Sequence, residues 1–303
     1  MRTRRAVLVS LVAGCIFFGA GCGDEGGTGE NDPGPTFTPP GASSGGPKGG
    51  GEEPAPNGGV VGSGASSSGS TTPTPPAGGV DSTKGSGGPT GFSTQTSKGG
   101  LKYQIDAPAG AGKPLGLLVL LHGSSASNYT NFVPMMKTVA TQYDLIRVSV
   151  LAPNGQGWNE GGNAAQASAA DKLHALVQED LFPKYDIDKK KVVFSGQSSG
   201  GGFLATHFVP LHAKDYVGGA LMQCGAAPPA SSFAPSTDTK KNFRLHFEIT
   251  TGDPIWPQSY AQAVSAYTSA GMSLTKDNTK PGGHCAFDQQ KVIQDHIKFI
   301  LGL

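Results

Sequence analysis

Lys191-Val192-Val193-Phe194-Ser195 runs directly into Gly196-Gln197-Ser198-Ser199-Gly200, and these ten residues organise everything around them. The β-branched and aromatic run reads as a strand, and residues 198–212 read as a helix. Between them stands G-x-S-x-G. Its two glycines leave room for a sharp strand-to-helix turn, and its serine sits proud of the sheet at a helix N-terminus. The pattern alone is weak, because Gly41-Ala42-Ser43-Ser44-Gly45 matches it as well. Ser43 has no strand before it and no helix after it, so context selects Ser198.

Outward from this turn, strands and helices alternate. Residues 101–107 alternate in polarity and predict an early strand, and 115–121 (LGLLVLL) is apolar on both faces. Such a run suits a central strand covered from two sides. Helical spacing follows at 131–143, then a strand at 145–151 and a helix at 164–185. Beyond Ser198 the pattern predicts strands at 217–222, 243–249 and 273–277, with helices at 259–270 and 287–301. This alternation implies an α/β domain, a mostly parallel central sheet with helices on both faces. In such sheets sites form at the carboxyl ends of the strands.

The rest of the chain is different in kind. Residues 1–100 hold 27 of the 47 Gly and 11 of the 23 Pro, but only four aromatics, Phe17, Phe18, Phe37 and Phe92. So few large apolar groups cannot offset the entropy of ordering such a segment. The glycines do not recur every third residue, which excludes collagen. Residues 101–303 carry 17 Lys or Arg against 15 Asp or Glu, so no basic face is available and nucleic acid is not an expected partner.

Arg2, Arg4 and Arg5 precede an apolar run from residue 6 to 21, the layout of an export signal and short for a membrane span. The run ends Phe18-Gly19-Ala20-Gly21-Cys22 before Gly23-Asp24-Glu25, which resembles the lipobox of bacterial lipoproteins. That resemblance implies cleavage before Cys22 and its lipidation. Cys15 fits the local pattern too, but would leave Ile16-Phe17-Phe18 exposed, so Cys22 is preferred; plain secretion is the alternative. Three segments are therefore expected: a signal peptide over 1–22, a Gly/Pro/Ser/Thr tether over 23–95, and a catalytic domain over 96–303. A flexible tether of that length spans roughly 40–50 Å. The domain is expected to be a monomer held at the membrane by the anchor alone, on the periplasmic side or the cell surface.

A nucleophilic serine needs a base, and the base needs a carboxylate. His284 follows Pro281-Gly282-Gly283, after the last short strand, and Asp253 lies in the turn Thr250-Thr251-Gly252-Asp253-Pro254 after another. The order Ser198, Asp253, His284 is the hydrolase order, with all three at expected carboxyl ends of strands. His122, in Leu121-His122-Gly123-Ser124-Ser125, is read as a ring pinning its loop by hydrogen bonds.

The segment from about residue 101 to the end resembles the α/β-hydrolase superfamily. Within it the chain is similar to the esterases that include polyhydroxybutyrate depolymerases and feruloyl or acetylxylan esterases. The residues that carry this are LLHGSS (120–125), APNGQGWNEGG (152–162), DLFPKYDIDKKKVVFSGQSSGG (180–201), TTGDP (250–254) and GGHCAF (282–287). The resemblance implies an oxyanion hole from the backbone N–H groups of Ser124 and Ser199. It also implies that Trp158 and Asn159 line the substrate cleft, although a Trp covering the core edge is an equal reading. No large cap insertion is evident between the later strands, which implies an open, shallow site. The implied activity is hydrolysis of carboxylic esters through an acyl-enzyme. A serine peptidase on the same fold and a non-catalytic surface-displayed binding module are the rival readings.

With Cys15 and Cys22 assigned to the signal, Cys224 and Cys285 remain, one ending a strand and one beside His284. An oxidising compartment permits disulfides, so these two are expected to bond and to stiffen the His loop. No His, Cys or Asp cluster has zinc spacing and no phosphate loop is present, so neither a metal nor a cofactor is expected.

Overall fold

The computed structural model describes residues 81–109 and 112–303. The export signal, Cys22 and the tether up to residue 80 lie outside the described residues. Among the described residues no helix is long and apolar enough to cross a membrane.

Among the described residues eight strands form one sheet: β1 (Gly91–Thr96), β2 (Lys102–Ala107), β3 (Leu115–Leu121), β4 (Leu145–Val150), β5 (Ile187–Gln197), β6 (Gly218–Gln223), β7 (Phe243–Glu248) and β8 (Leu274–Asp277). Their order is β1-β2-β4-β3-β5-β6-β7-β8. The β1/β2 and β2/β4 pairs are antiparallel and all later neighbours are parallel. The helices are α1 (Phe132–Met135), α2 (Lys137–Tyr143), α3 (Gly162–Ala175), α4 (Phe182–Lys184), α5 (Ser199–Phe203), α6 (Val209–His212), α7 (Thr237–Asn242), α8 (Pro257–Ser269) and α9 (Gln289–Leu301).

The period of two in β3 divides the core. Leu117, Val119 and Leu121 join a cluster with Leu173, Phe203, Phe208 and Tyr267 from α3, α5, the turn beyond it and α8. Leu118 and Leu120 join another with Phe132, Val139, Ile293 and Ile297 from α1, α2 and α9, and with Met136 between α1 and α2. The sheet is thus covered on both faces, as the doubly apolar run requires. On α9 the buried Ile293, Ile297, Ile300 and Leu301 fall on one stripe, each worth roughly 1.5–3 kcal/mol of burial. Asp288 caps that helix by accepting from the Lys291 N–H, 3.0 Å away.

Two long helices expected from the pattern are interrupted by π turns, at Leu176–Leu181 and Leu204–Phe208. Each is followed by a proline, Pro183 in α4 and Pro210 in α6. A proline lacks the N–H that would bond the carbonyl four residues back, and its ring pushes that carbonyl aside. The carbonyls concerned, Glu179 and Thr206, instead accept from Lys98 Nζ at 3.3 Å and from the Ala230 N–H at 2.9 Å.

The domain begins earlier than composition implies. β1, placed in the tether by its small polar residues, pairs along β2, and Ser82 bridges Asp188. The Thr83 N–H also donates to the Ile187 carbonyl at 3.0 Å. These attachments are made by backbone, which carries no trace in apolar content. The connection from β6 to β7, residues 224–242, holds only the short α7.

Candidate active site

The chain leaves β3 toward β4 on one side and returns to β5 on the other, so the sheet order reverses between β3 and β5. Loops leaving those two strands diverge and open a crevice at their carboxyl ends. Leu121 and Gly196 are paired across this switch, so the loop beginning at His122 lies beside the turn carrying Ser198.

Ser198 has φ 49° and ψ −114°, the strained turn expected of a nucleophile elbow. Its neighbours explain how it is tolerated. A β-carbon on Gly196 would strike the Gly200 backbone, and one on Gly225 would strike the Ser198 carbonyl. The Ser198 N–H donates to the Gln223 carbonyl at 2.8 Å, and its own carbonyl accepts from Gly202 at 2.9 Å. The hydroxyl is thereby held at the end of β5, 2.8 Å from His284 Nε2.

His284 Nδ1 lies 2.7 Å from Asp253 Oδ2. A carboxylate only accepts, so Nδ1 carries the proton and Nε2 presents its lone pair to the serine. The fully buried Asp253 side chain accepts at its other oxygen from the N–H groups of Ile255 (2.8 Å) and Trp256 (3.2 Å). Its loop is stitched to the His284 loop. Thr251 and Gly252 donate from their N–H groups to the carbonyls of Lys280 (2.8 Å) and Gly282 (3.1 Å), and the Thr250 hydroxyl donates to the Gly283 carbonyl (2.8 Å). Lys280 Nζ reaches the fully buried Glu248 at 2.7 Å and Asp277 at 2.9 Å. The three side chains singled out in the sequence therefore meet.

The expected disulfide is present: Cys224 and Cys285 are bonded, with 5.1 Å between their Cα atoms. It ties the end of β6 to the residue after His284. His122 is fully buried, donates from Nδ1 to the Gly123 carbonyl at 2.6 Å and accepts at Nε2 from the Ala152 N–H at 2.9 Å. Burial pulls its pKa below the usual histidine value. It pins the loop, as read from the sequence.

Ser199 opens α5, so its N–H precedes the first intrahelical bond; Ser124 opens the turn after Gly123 at the end of β3. Trp158 corrects one expectation. It is only 1% exposed and packs between Phe203 and His122, with ring centroids 4.9 and 5.9 Å away. It covers the core, while Asn159 is exposed on the adjoining turn, its carbonyl accepting from Gln166.

Other residues at the site escaped the sequence reading. The Asn128 amide donates to Gln197 Oε1 at 2.9 Å, tying the loop after β3 to the residue before Ser198. The Trp256 indole lies against Gly202 of α5, where a β-carbon would meet it at 2.7 Å. Ile255 is 62% exposed beside Asp253. The Asp253-Pro254-Ile255-Trp256 run was the available signal, two large apolar residues straight after a turn aspartate.

No protein-family model matches the sequence, and no curated protein matches it. Solved structures do match its fold. A carboxylesterase from Mesorhizobium loti is 19% identical, aligning over 67% of this chain and 97% of its own with a TM-score of 0.54. The Bacillus cereus carboxylesterase is 18% identical over 66% of this chain and 93% of its own, with a TM-score of 0.51. A ferulic acid esterase is 13% identical over 70% of this chain and 96% of its own, at 0.50. The chain has the α/β-hydrolase fold.

Proposed function

We propose that this α/β-hydrolase domain is a serine ester hydrolase. The observation that carries the reading is the unbroken path from Ser198 Oγ to His284 Nε2 (2.8 Å) and from His284 Nδ1 to Asp253 Oδ2 (2.7 Å). His284 takes the Ser198 proton as the oxygen attacks the ester carbonyl. The amides of Ser124 and Ser199 hold the oxyanion, and Asp253 stabilises the imidazolium. The tetrahedral centre collapses, the C–O bond to the alcohol breaks, and His284 Nε2 returns its proton to that alcohol. Water, deprotonated by His284, then attacks the acyl-enzyme; collapse releases the acid and restores Ser198.

The substrate is a small or side-chain ester. Ile255 offers an apolar surface beside the triad, and the short β6–β7 connection leaves the site shallow. Feruloyl or acetyl esters on polysaccharide and short hydroxyalkanoate esters are the proposed substrates. The charged, apolar and small-residue order before Cys22 supports export and lipid anchoring, which place the domain outside the cytoplasm.

The test is turnover of p-nitrophenyl acetate and butyrate, methyl ferulate and acetylated xylan. Ser198→Ala lowers kcat by about 10⁴-fold or more. Turnover at the native rate in Ser198→Ala overturns the reading, and cleavage of aminoacyl-nitroanilides without ester turnover replaces it with the peptidase.

A further inference from the structure

Folding brings together residues that sequence spacing keeps apart. Among the described residues, three groups of His, Cys, Asp and Glu have ligand atoms within 4.8 Å of one another. Cys224, His284 and Cys285 are committed to the disulfide and the triad. In the group His246, Glu248 and His296, Glu248 already holds the Lys280 ammonium at 2.7 Å, and His246 Nδ1 pairs with Thr275 Oγ1 at 2.9 Å. The third group is His174, His212 and Asp215, supplied by α3, the end of α6 and the turn before β6.

Within it, the hydrogen bonding of His212 is that of a ligand. His212 Nε2 lies 3.0 Å from Asp171 Oδ1. The carboxylate accepts, so in the neutral ring Nε2 holds the proton and Nδ1 keeps a lone pair. That Nδ1 faces Asp215 Oδ2 at 3.8 Å, and His174 Nδ1 lies 4.0 Å from the same oxygen. These separations are too long for hydrogen bonds. They lie just outside the ligand–ligand edge of a zinc tetrahedron, about 3.4 Å for bonds of ~2.1 Å. A carboxylate holding the far nitrogen of a ligating histidine is the usual outer support of such sites. The two imidazoles are stacked, 4.3 Å apart and 14° from parallel. His174 Nδ1 also meets the Tyr216 hydroxyl at 3.0 Å. Coordination therefore turns the His174 ring and displaces that hydroxyl.

We propose that His174, His212 and Asp215 bind a borderline divalent transition ion, with Zn²⁺ as the reference, and that Asp171 orients His212. Two imidazoles and one carboxylate favour zinc, nickel or copper over magnesium or calcium. The side chains of His174, His212 and Asp215 are 27%, 13% and 35% exposed, so the ion arrives from solvent and keeps a position for water. The site sits before the first residue of β6, whereas Ser198 follows the last residue of the neighbouring parallel strand β5, so the two lie at opposite ends of the strands. The ion braces α3, α6 and the entrance to β6, and takes no part in ester cleavage.

The test titrates the EDTA-treated full chain with ZnCl₂, by calorimetry and by melting temperature. One equivalent binds with a micromolar or tighter Kd, the melting temperature rises by several degrees, and MgCl₂ or CaCl₂ at equal concentration leaves it unmoved. His174→Gln and His212→Gln each weaken binding at least 100-fold. Asp171→Asn weakens it about 10- to 100-fold. That side chain is 71% exposed, so the variant folds normally. His296→Gln binds as the native chain does, and p-nitrophenyl ester turnover is unchanged in every variant. No saturable binding up to millimolar zinc, native affinity in the His174→Gln/His212→Gln double variant, or loss of binding in His296→Gln overturns the proposal.

Discussion

Ser198 is held where a β-carbon is unwelcome, at φ 49°, a position that costs on the order of 1–3 kcal/mol for residues other than glycine. Glycine relieves that cost and alanine does not. Ser198→Gly is therefore expected to melt above Ser198→Ala, the reverse of their order at an ordinary site, while both lose turnover; thermal unfolding of the pair decides it. His122 supplies a pH dependence. Burial lowers its pKa, whereas the unfolded ring titrates near about 6.5. The unfolded chain thus binds the proton first. The contribution to stability is complete above that value and is lost as pH falls from it toward the folded pKa. Replacing the ring by His122→Asn flattens the decline in unfolding free energy between pH 7 and 5, measured by urea denaturation. At this scale the meeting of Ser198, Asp253 and His284 was legible, because each sits in a local motif and the three come in a recognisable order. Asn128, Gln197, Ile255 and Trp256 were not, because their contacts depend on how separate loops approach. Trp158 was legible only as two readings, since one indole suits a core as well as a cleft.

At the level of elements, periodicity placed the strands and most helices, but the π turns before Pro183 and Pro210 escaped it. A register change leaves apolar spacing nearly intact, and only the prolines reveal it. β1 escaped for the opposite reason, pairing through backbone with side chains that read as linker. The loop bearing His284 is the element on which the proposed chemistry depends, and Lys280 anchors it by reaching Glu248 at 2.7 Å. Asp277 shares that ammonium, and bonds from Thr279 and Lys280 hold its carboxyl well below the usual range. Lys280→Met leaves Glu248 buried without its cation and is expected to lower kcat about tenfold with little change in KM, alongside a lower melting temperature. Adding Glu248→Gln removes the stranded charge. The double variant recovers stability but not kcat, a split that a purely structural role does not produce.

For the molecule as a whole, the near balance of charge and the two-sided core describe a domain whose stability lies in burial. Its antiparallel edge is the part that composition concealed. A chain starting at residue 81 keeps β1 and is expected to match the full chain in melting temperature and turnover. One starting at residue 97 exposes the edge of β2, removes the Thr83–Ile187 attachment and melts several degrees lower. Circular dichroism and p-nitrophenyl acetate turnover on both check this. The cystine between residues 224 and 285 closes a loop spanning 61 positions, worth about 4 kcal/mol on chain-entropy grounds. Its position makes it more than a staple. Newly made chains, with both thiols still reduced, carry His284 on a loop that lacks its covalent tie. On the proposed reading, in which the domain is an exported ester hydrolase, competence to cleave esters lags behind synthesis and arrives with oxidation, so the cell interior is spared an active hydrolase until its product has left.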